Sequence, residues 1–189
     1  MKKYSLFVPD TIGLFYTKEK KILTIIGPKK IKSLKLDIDL KICKKQQKIE
    51  ISFDSISSYI SNSDRKKLRL LEGITLAIIR QSLLETCYLV HKKLKFVGVG
   101  YRVFDDIEPF EKKSLLLRLG FSHPIFLPIS TNIKIRCFKR TKVVICGFSY
   151  SYISQFASLV RSFKKPEPYK GKGILYFNET ISLKEGKKI

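Results

Sequence analysis

Twice along this chain, a series of short β-prone runs ends in one stretch of helical periodicity. That repetition limits the fold more than any other feature. In the first round, residues 21–26 and 31–42 read as strand. Leu34, Leu36, Ile38, Leu40 and Ile42 alternate with Lys35, Asp37, Asp39 and Lys41, the period of two that marks a half-buried strand. Gly27-Pro28 supplies the turn before it. Residues 44–48 read as a basic hairpin tip, with Ile49, Ile51 and Phe53 alternating on the return. The expected product is antiparallel sheet with one wet face. Residues 61–64 then offer N-cap side chains to a helix predicted to run to about Lys93, with Lys92 and Lys93 suiting the negative end of its dipole. Leu71, Ile74, Ile78, Leu84 and Tyr88 fall at helical spacing. Leu76, Ile79, Leu83 and Leu89 lie elsewhere on the helix, so covering on more than one face is expected, as for a helix between the first sheet and a second domain.

The second round repeats the plan. Residues 94–103 read as strand, 105–113 as a charged loop with Pro109, and 114–121 as strand with Leu115, Leu117 and Leu119 alternating. Ile133, Ile135 and Cys137 mark the next strand and residues 143–146 its partner. Ser149 or Ser151 can cap a helix with Ile153, Phe156, Ala157, Val160 and Phe163 on one face. The fold class expected is therefore α+β, with two similar tandem domains, each an antiparallel sheet packed with a helix. The first spans residues 1–93 and the second 94–177, with a basic tail over 178–189. The halves share no visible sequence identity.

A core is within reach, because 44% of the 189 residues are hydrophobic. Yet 38 Lys and Arg stand against 16 Asp and Glu, a net charge of +22. Such a field repels itself in a compact chain, and a phosphate backbone would cancel it. An anionic membrane is the competing acceptor, but the basic residues are spread along the chain rather than gathered on one amphipathic helix. The longest apolar run, near residues 74–79, is far short of the ~20 residues that span a bilayer. Cys43, Cys87, Cys137 and Cys146 form no C-x-x-C pair, and the two His are not spaced with them as zinc ligands. They read as reduced thiols of a reducing compartment.

Chemistry of the catalytic kind finds no foothold. Gly98-Val99-Gly100 begins like a dinucleotide loop, but Val103 stands where the third glycine belongs, and no helix follows. Gly171-Lys172 lacks the Ser or Thr of a phosphate P-loop. His123 has no carboxylate or nucleophile beside it in sequence, and Asp105, Asp106, Glu108 and Glu111 lack the Gly and terminal Glu of a calcium loop. Those acids read as a solvated loop turned away from phosphates. No enzyme activity, metal, cofactor or small-molecule substrate is expected.

One stretch is built to grip a polyanion. Residues 164–174 read K-K-P-E-P-Y-K-G-K-G-I. Pro166 and Pro168 fix their own φ and push Lys165 and Glu167 toward extended geometry, so the segment reads as a stiff arm. Gly171 and Gly173 flank Lys172 and let backbone approach a surface closely. Lys164, Lys165, Lys170 and Lys172 carry charge, and Tyr169 offers a ring for stacking. The candidate RNA-binding residues are these seven, Lys164, Lys165, Tyr169, Lys170, Gly171, Lys172 and Gly173, together with Arg102.

The string P-E-P-Y-K-G-K-G-I after a basic pair closely resembles the C-terminal signature of the L-six family of large-subunit ribosomal proteins. L-K-F-V-G-V-G-Y-R at 94–102 and L-G-F-S-H-P-I at 119–125 support it in the right order. The resemblance implies two similar α+β domains in tandem. It also implies a non-enzymatic role on large-subunit ribosomal RNA, near the sarcin–ricin loop and stalk base, among neighbouring ribosomal proteins. Three departures stand out: Lys164 and Lys165 replace common arginines, trading forked contacts for point charges, Leu175 sits where Arg is frequent, and Phe148-Ser149-Tyr150 replaces an Asp or Asn and a Lys. The acidic loop at 105–113 also looks longer than in bacterial relatives. Heavy use of Lys, Ile, Phe and Ser, with no Trp and one Met, fits an AT-rich genome. With a start that aligns to the family start, this predicts the mitochondrial matrix, with a plastid or a bacterial cytoplasm as alternatives. A free-standing basic RNA-binding regulator is the rival reading.

Overall fold

Strands too short to bury a face alone pair into antiparallel sheets, and a helix packs against them. In the computed structural model this happens twice, with two sheets and one helix in Met1–Leu89 and again in Val90–Ile189. The structure describes residues 4–38, 40–43, 48–51, 61–107 and 113–186.

In the first unit the strands are β1 (Tyr4–Phe7), β2 (Gly13–Thr17), β3 (Ile22–Ile26), β4 (Ile31–Lys35), β5 (Leu40–Cys43) and β6 (Lys48–Ile51), followed by helix α1 (Asn62–Cys87). They form two three-stranded antiparallel sheets, ordered β2-β3-β4 and β1-β6-β5. The run expected as one strand over 31–42 is thus two strands in different sheets. Its alternation survives the break: Leu36, Ile38 and Leu40 are all buried, while Lys35 and Asp37 are exposed. The same side of the chain faces the core before and after it changes sheet. Leu23, Ile25, Leu36, Ile38, Leu40 and Ile49 meet Ile79, Leu83 and Cys87 of α1 in that core. The hairpin tip at 44–47 and the return at Phe53 lie outside the described residues.

The predicted turn at Gly27-Pro28 is present and also docks the helix. The Gly27 N–H donates to the Lys30 carbonyl at 3.2 Å, and the Lys29 N–H to the Thr86 carbonyl at 3.1 Å. A Cβ on Gly27 would lie 2.6 Å from that Thr86 oxygen.

Helix α1 departs from expectation twice. It ends at Cys87, with Tyr88 already extended at φ −126° and ψ 151°, so Lys92 and Lys93 belong to a strand. Sheet pairing on both sides of that strand outweighs the helical pattern there. The row Leu71, Ile74, Ile78, Leu84 and Tyr88 is exposed, and the buried residues are Thr75, Ile79, Ser82, Leu83, Glu85, Thr86 and Cys87. Both threonine hydroxyls on the inward face return to the helix's own backbone, Thr75 donating to the Glu72 carbonyl and Thr86 to the Leu83 carbonyl, each at 3.0 Å, whereas the buried Ser82 hydroxyl makes no such bond. Buried Glu85 accepts from Lys32 at 2.8 Å and from Gln81 at 2.9 Å.

The second unit holds β7 (Val90–Val97), β8 (Arg102–Ile107), β9 (Ser114–Arg118), β10 (Ile125–Pro128), β11 (Ile133–Lys139), β12 (Lys142–Gly147), helix α2 (Tyr150–Ser162) and β13 (Gly173–Tyr176). One sheet runs β10-β9-β8 and the other β11-β12-β7-β13. The strand expected over 94–103 is two strands, because Gly98–Gly100 make a turn, with Gly100 at φ +77°. Asp105 lies in β8 rather than in a solvated loop. Its carboxylate accepts the Cys137 N–H at 2.8 Å, where β11 carries an irregularity between Cys137 and Lys139. Asp106 and Ile107 belong to the same strand, and residues 108–112 of the predicted loop are outside the described residues. Helix α2 follows its pattern: Ile153, Phe156, Ala157 and Val160 are buried against Leu94, Phe96, Val143, Ile145 and Ile174. Ser149 occupies the N-cap, but its hydroxyl bonds to that of Ser151 instead of capping the helix.

Candidate nucleic-acid interface

The basic stretch after α2 is a closed loop rather than a projecting arm. The Ile174 N–H donates to the Lys164 carbonyl at 3.0 Å, the Glu167 N–H to the Lys172 carbonyl at 2.8 Å, and the Gly171 N–H to the Glu167 carbonyl at 3.0 Å. The prolines stiffen one limb, and strand β13 takes the other into the sheet, pairing Gly173 with Val97 and Ile174 with Phe96. Sequence reasoning missed β13 because its four residues begin on the second of two closely spaced glycines and carry no alternation of their own.

Glycine is demanded here by the loop's closure. Gly173 is buried, and a Cβ on it would meet the Pro166 Cα at 2.6 Å and the Lys165 carbonyl at 2.8 Å. Gly171 has φ +66°, the left-handed region. The chain beyond β13 returns across the loop: the Lys184 N–H donates to the Pro168 carbonyl at 3.0 Å, and Leu183 approaches Gly171. Arg161 of α2 fixes the start of that return by pairing with Glu179 at 2.6 Å.

So restrained, the loop turns Lys165, Tyr169, Lys170 and Lys172 outward. Lys164 is half-buried, with its ammonium 5.0 Å from the centroid of Phe121, which in turn stacks on His123. That contact places the 119–125 string beside the loop. The 94–102 string joins them through β7 and through Tyr101, a buried ring whose edge lies 3.5 Å from where a Gly120 Cβ would be. Arg102 is exposed on β8, directly opposite Arg118. Like charges facing across a strand pair repel. The pair is outside the loop proper, and an anion between the two guanidiniums would relieve the repulsion. Leu175, at the position where the resemblance favours Arg, is buried in β13 opposite Lys95.

None of this arrangement is suited to bond-making. Lysines, a tyrosine ring and glycine backbone can hold phosphates and stack a base or sugar. Among the described residues no group of three or more His, Cys, Asp or Glu is placed to hold a metal ion.

Comparison with known proteins matches the same region of the chain. The family model described as Ribosomal protein L6 matches residues 97–177. A protein of Mycoplasma genitalium named large ribosomal subunit protein uL6 is 36% identical over 179 residues, covering 95% of this chain and 90% of its own. The chain belongs to the ribosomal protein L6 family. A uL6 of Clostridium kluyveri is 41% identical over 126 residues, 67% of each chain. A protein of Spinacia oleracea named uL6c is 46% identical over 96 residues, 51% of this chain and 41% of its own. As a member of the L6 family the chain is not an enzyme, and its antiparallel α+β fold agrees with that membership.

Proposed function

We propose that this protein is a structural constituent of the large ribosomal subunit, anchored on ribosomal RNA by the loop between α2 and β13. Three backbone hydrogen bonds and a buried glycine hold that loop, while Lys165, Tyr169, Lys170 and Lys172 face outward. This is the observation that carries the reading. The backbone of the grip is already ordered in folding, so binding has only its side chains left to order. The lysines hold phosphates, Tyr169 lies against a base or ribose, and Arg102 with Arg118 takes a further phosphate. The region contacted is the RNA near the sarcin–ricin loop and stalk base, where the protein, with neighbouring ribosomal proteins, steadies the surface that translation factors engage. Relatives from bacteria and from a plant are compatible with a bacterial cytoplasm or a plastid as well as with the mitochondrial matrix, the compartment to test first.

Sedimentation of large subunits through high salt tests the role. The protein should remain with the subunit, and Lys170→Glu/Lys172→Glu should reduce its association. Release of the intact protein into the free fraction would instead indicate a free-standing RNA-binding regulator. Full incorporation of the double variant would overturn the loop as anchor.

A further inference from the structure

The second unit carries another basic surface, assembled by strand register from residues far apart in sequence. In the sheet β11-β12-β7-β13, directly opposed residues share a face. The face away from α2 carries Lys139, Lys142 and Lys95 in one row, Arg136, Val144 and Lys93 in the next, and Lys134, Cys146 and His91 in the third. All of its cationic side chains and His91 are exposed, whereas Leu94, Phe96, Val143 and Ile145 on the other face are buried. None of the four strands contains an acidic residue. Among the described residues none of these cations is in an ion pair. Among the described residues, two carboxylates of this unit are engaged elsewhere, Asp105 with the Cys137 N–H and Glu179 with Arg161.

Lysines stacked across three adjacent strands repel one another, and the fold retains them. At the β7 end of this face a cleft of about 430 Å³ is lined by His91, Lys92, Lys93, Tyr176, Phe177 and Asn178. Phe177 is exposed, with the Lys93 ammonium 5.5 Å from its ring centroid. From the α2 side of the sheet, the Lys92 ammonium lies 4.9 Å from the Tyr150 ring centroid and 5.3 Å from that of Tyr176. Cations beside an open aromatic face, with an amide at the rim, are the groups that take a nucleotide: phosphate on the ammonium, base on the ring.

We infer that this sheet face is a second RNA-contact surface, separate from the α2–β13 loop, on which its lysines and Arg136 hold the phosphate backbone and the Phe177 cleft takes one unpaired nucleotide. The inference rests on reading the chain as an RNA-binding protein. RNA is favoured over an acidic protein because six cations are spread over three adjacent strands, with an aromatic-lined cleft at one end.

The test uses the full chain and a labelled 24-nucleotide RNA hairpin with an unpaired loop, titrated between 50 and 200 mM salt. Lys93→Gln/Lys95→Gln/Lys142→Gln should lower affinity at least tenfold at 100 mM, and should reduce the slope of log affinity against log salt by about 0.9 for each phosphate no longer neutralised. The matching Lys→Arg triple variant should restore that slope. Phe177→Ala should weaken hairpin binding about tenfold, yet leave binding to a fully paired duplex of equal length unchanged. Lys170→Gln/Lys172→Gln, measured in parallel, reports on the loop alone. An unchanged slope in the Gln triple variant, with the loop variant impaired, would overturn the sheet face and leave the loop reading standing. The converse pattern would sustain the face and remove the loop. A triple variant that binds RNA normally but fails to enter large subunits would assign the face to an acidic protein, against this inference.

Discussion

Helices α2 and α1 meet the same requirement, burying one side of a helix on a sheet, with opposite kinds of residue. Helix α2 inserts Ile153, Phe156, Ala157 and Val160, an unbroken apolar stripe. Helix α1 turns Thr75, Ser82, Glu85 and Thr86 inward beside Ile79 and Leu83, and leaves Leu70, Ile74 and Ile78 exposed. A buried hydroxyl that returns to its own helix, or a carboxylate held by a lysine, occupies core space as an apolar group would. Hydrophobic periodicity therefore locates the inward face of α2 and misplaces that of α1. Local chemistry on α1 obscures what packing alone would have made plain.

The largest expected effect lies in α2. Ile153→Ala removes a fully buried side chain at the centre of the second core and should cost about 3–4 kcal/mol in chemical denaturation. A loss below 1 kcal/mol would mean that the stripe is not what holds that helix. Next comes the ion pair that allows α1 to bury Glu85. Lys32→Met removes the Lys32 ammonium from that carboxylate, which is only 2% exposed. Because the Lys32 side chain is itself 28% exposed, a loss of about 2–3 kcal/mol is expected, below the range for fully buried pairs. A neutral result would show that solvent reaches Glu85 after all. The smallest effect belongs to Ile74→Ala on the outer face of α1, within about 0.5 kcal/mol in the free protein. A loss above 1 kcal/mol would show that face to be covered in the free chain, and the contrast between the helices would weaken.

Legibility of the fold followed the same physics. Strands β3 and β12 were readable because apolar residues are continuous along them and burial alternates cleanly. Strands β1, β2, β10 and β13 were missed, since four or five residues carry little periodicity. The division of 31–42 between two sheets was invisible because the burial alternation runs through it. At the site, charge, prolines and glycines pointed to the loop proposed here as the anchor, but not to its shape. An arm and a closed loop have the same composition, and only the pairing of Gly173 with Val97 and its closeness to Pro166 distinguish them. Gly173 itself, read as a point of close approach to RNA, is buried within the protein, which leaves Lys165, Tyr169, Lys170 and Lys172 as the exposed face of the loop. The sheet-face array could not be read at all, because Lys95, Lys139 and Lys142 become neighbours only through strand register.

A crosslinking map of lysine-to-RNA contacts, made on intact large subunits at low salt, tests the central claim most directly. Adducts should concentrate on Lys165, Lys170 and Lys172, with the Lys93, Lys95 and Lys142 face as a second cluster. A map in which the 165–172 loop stays free of RNA, while lysines of Met1–Leu89 carry the adducts, would contradict the account.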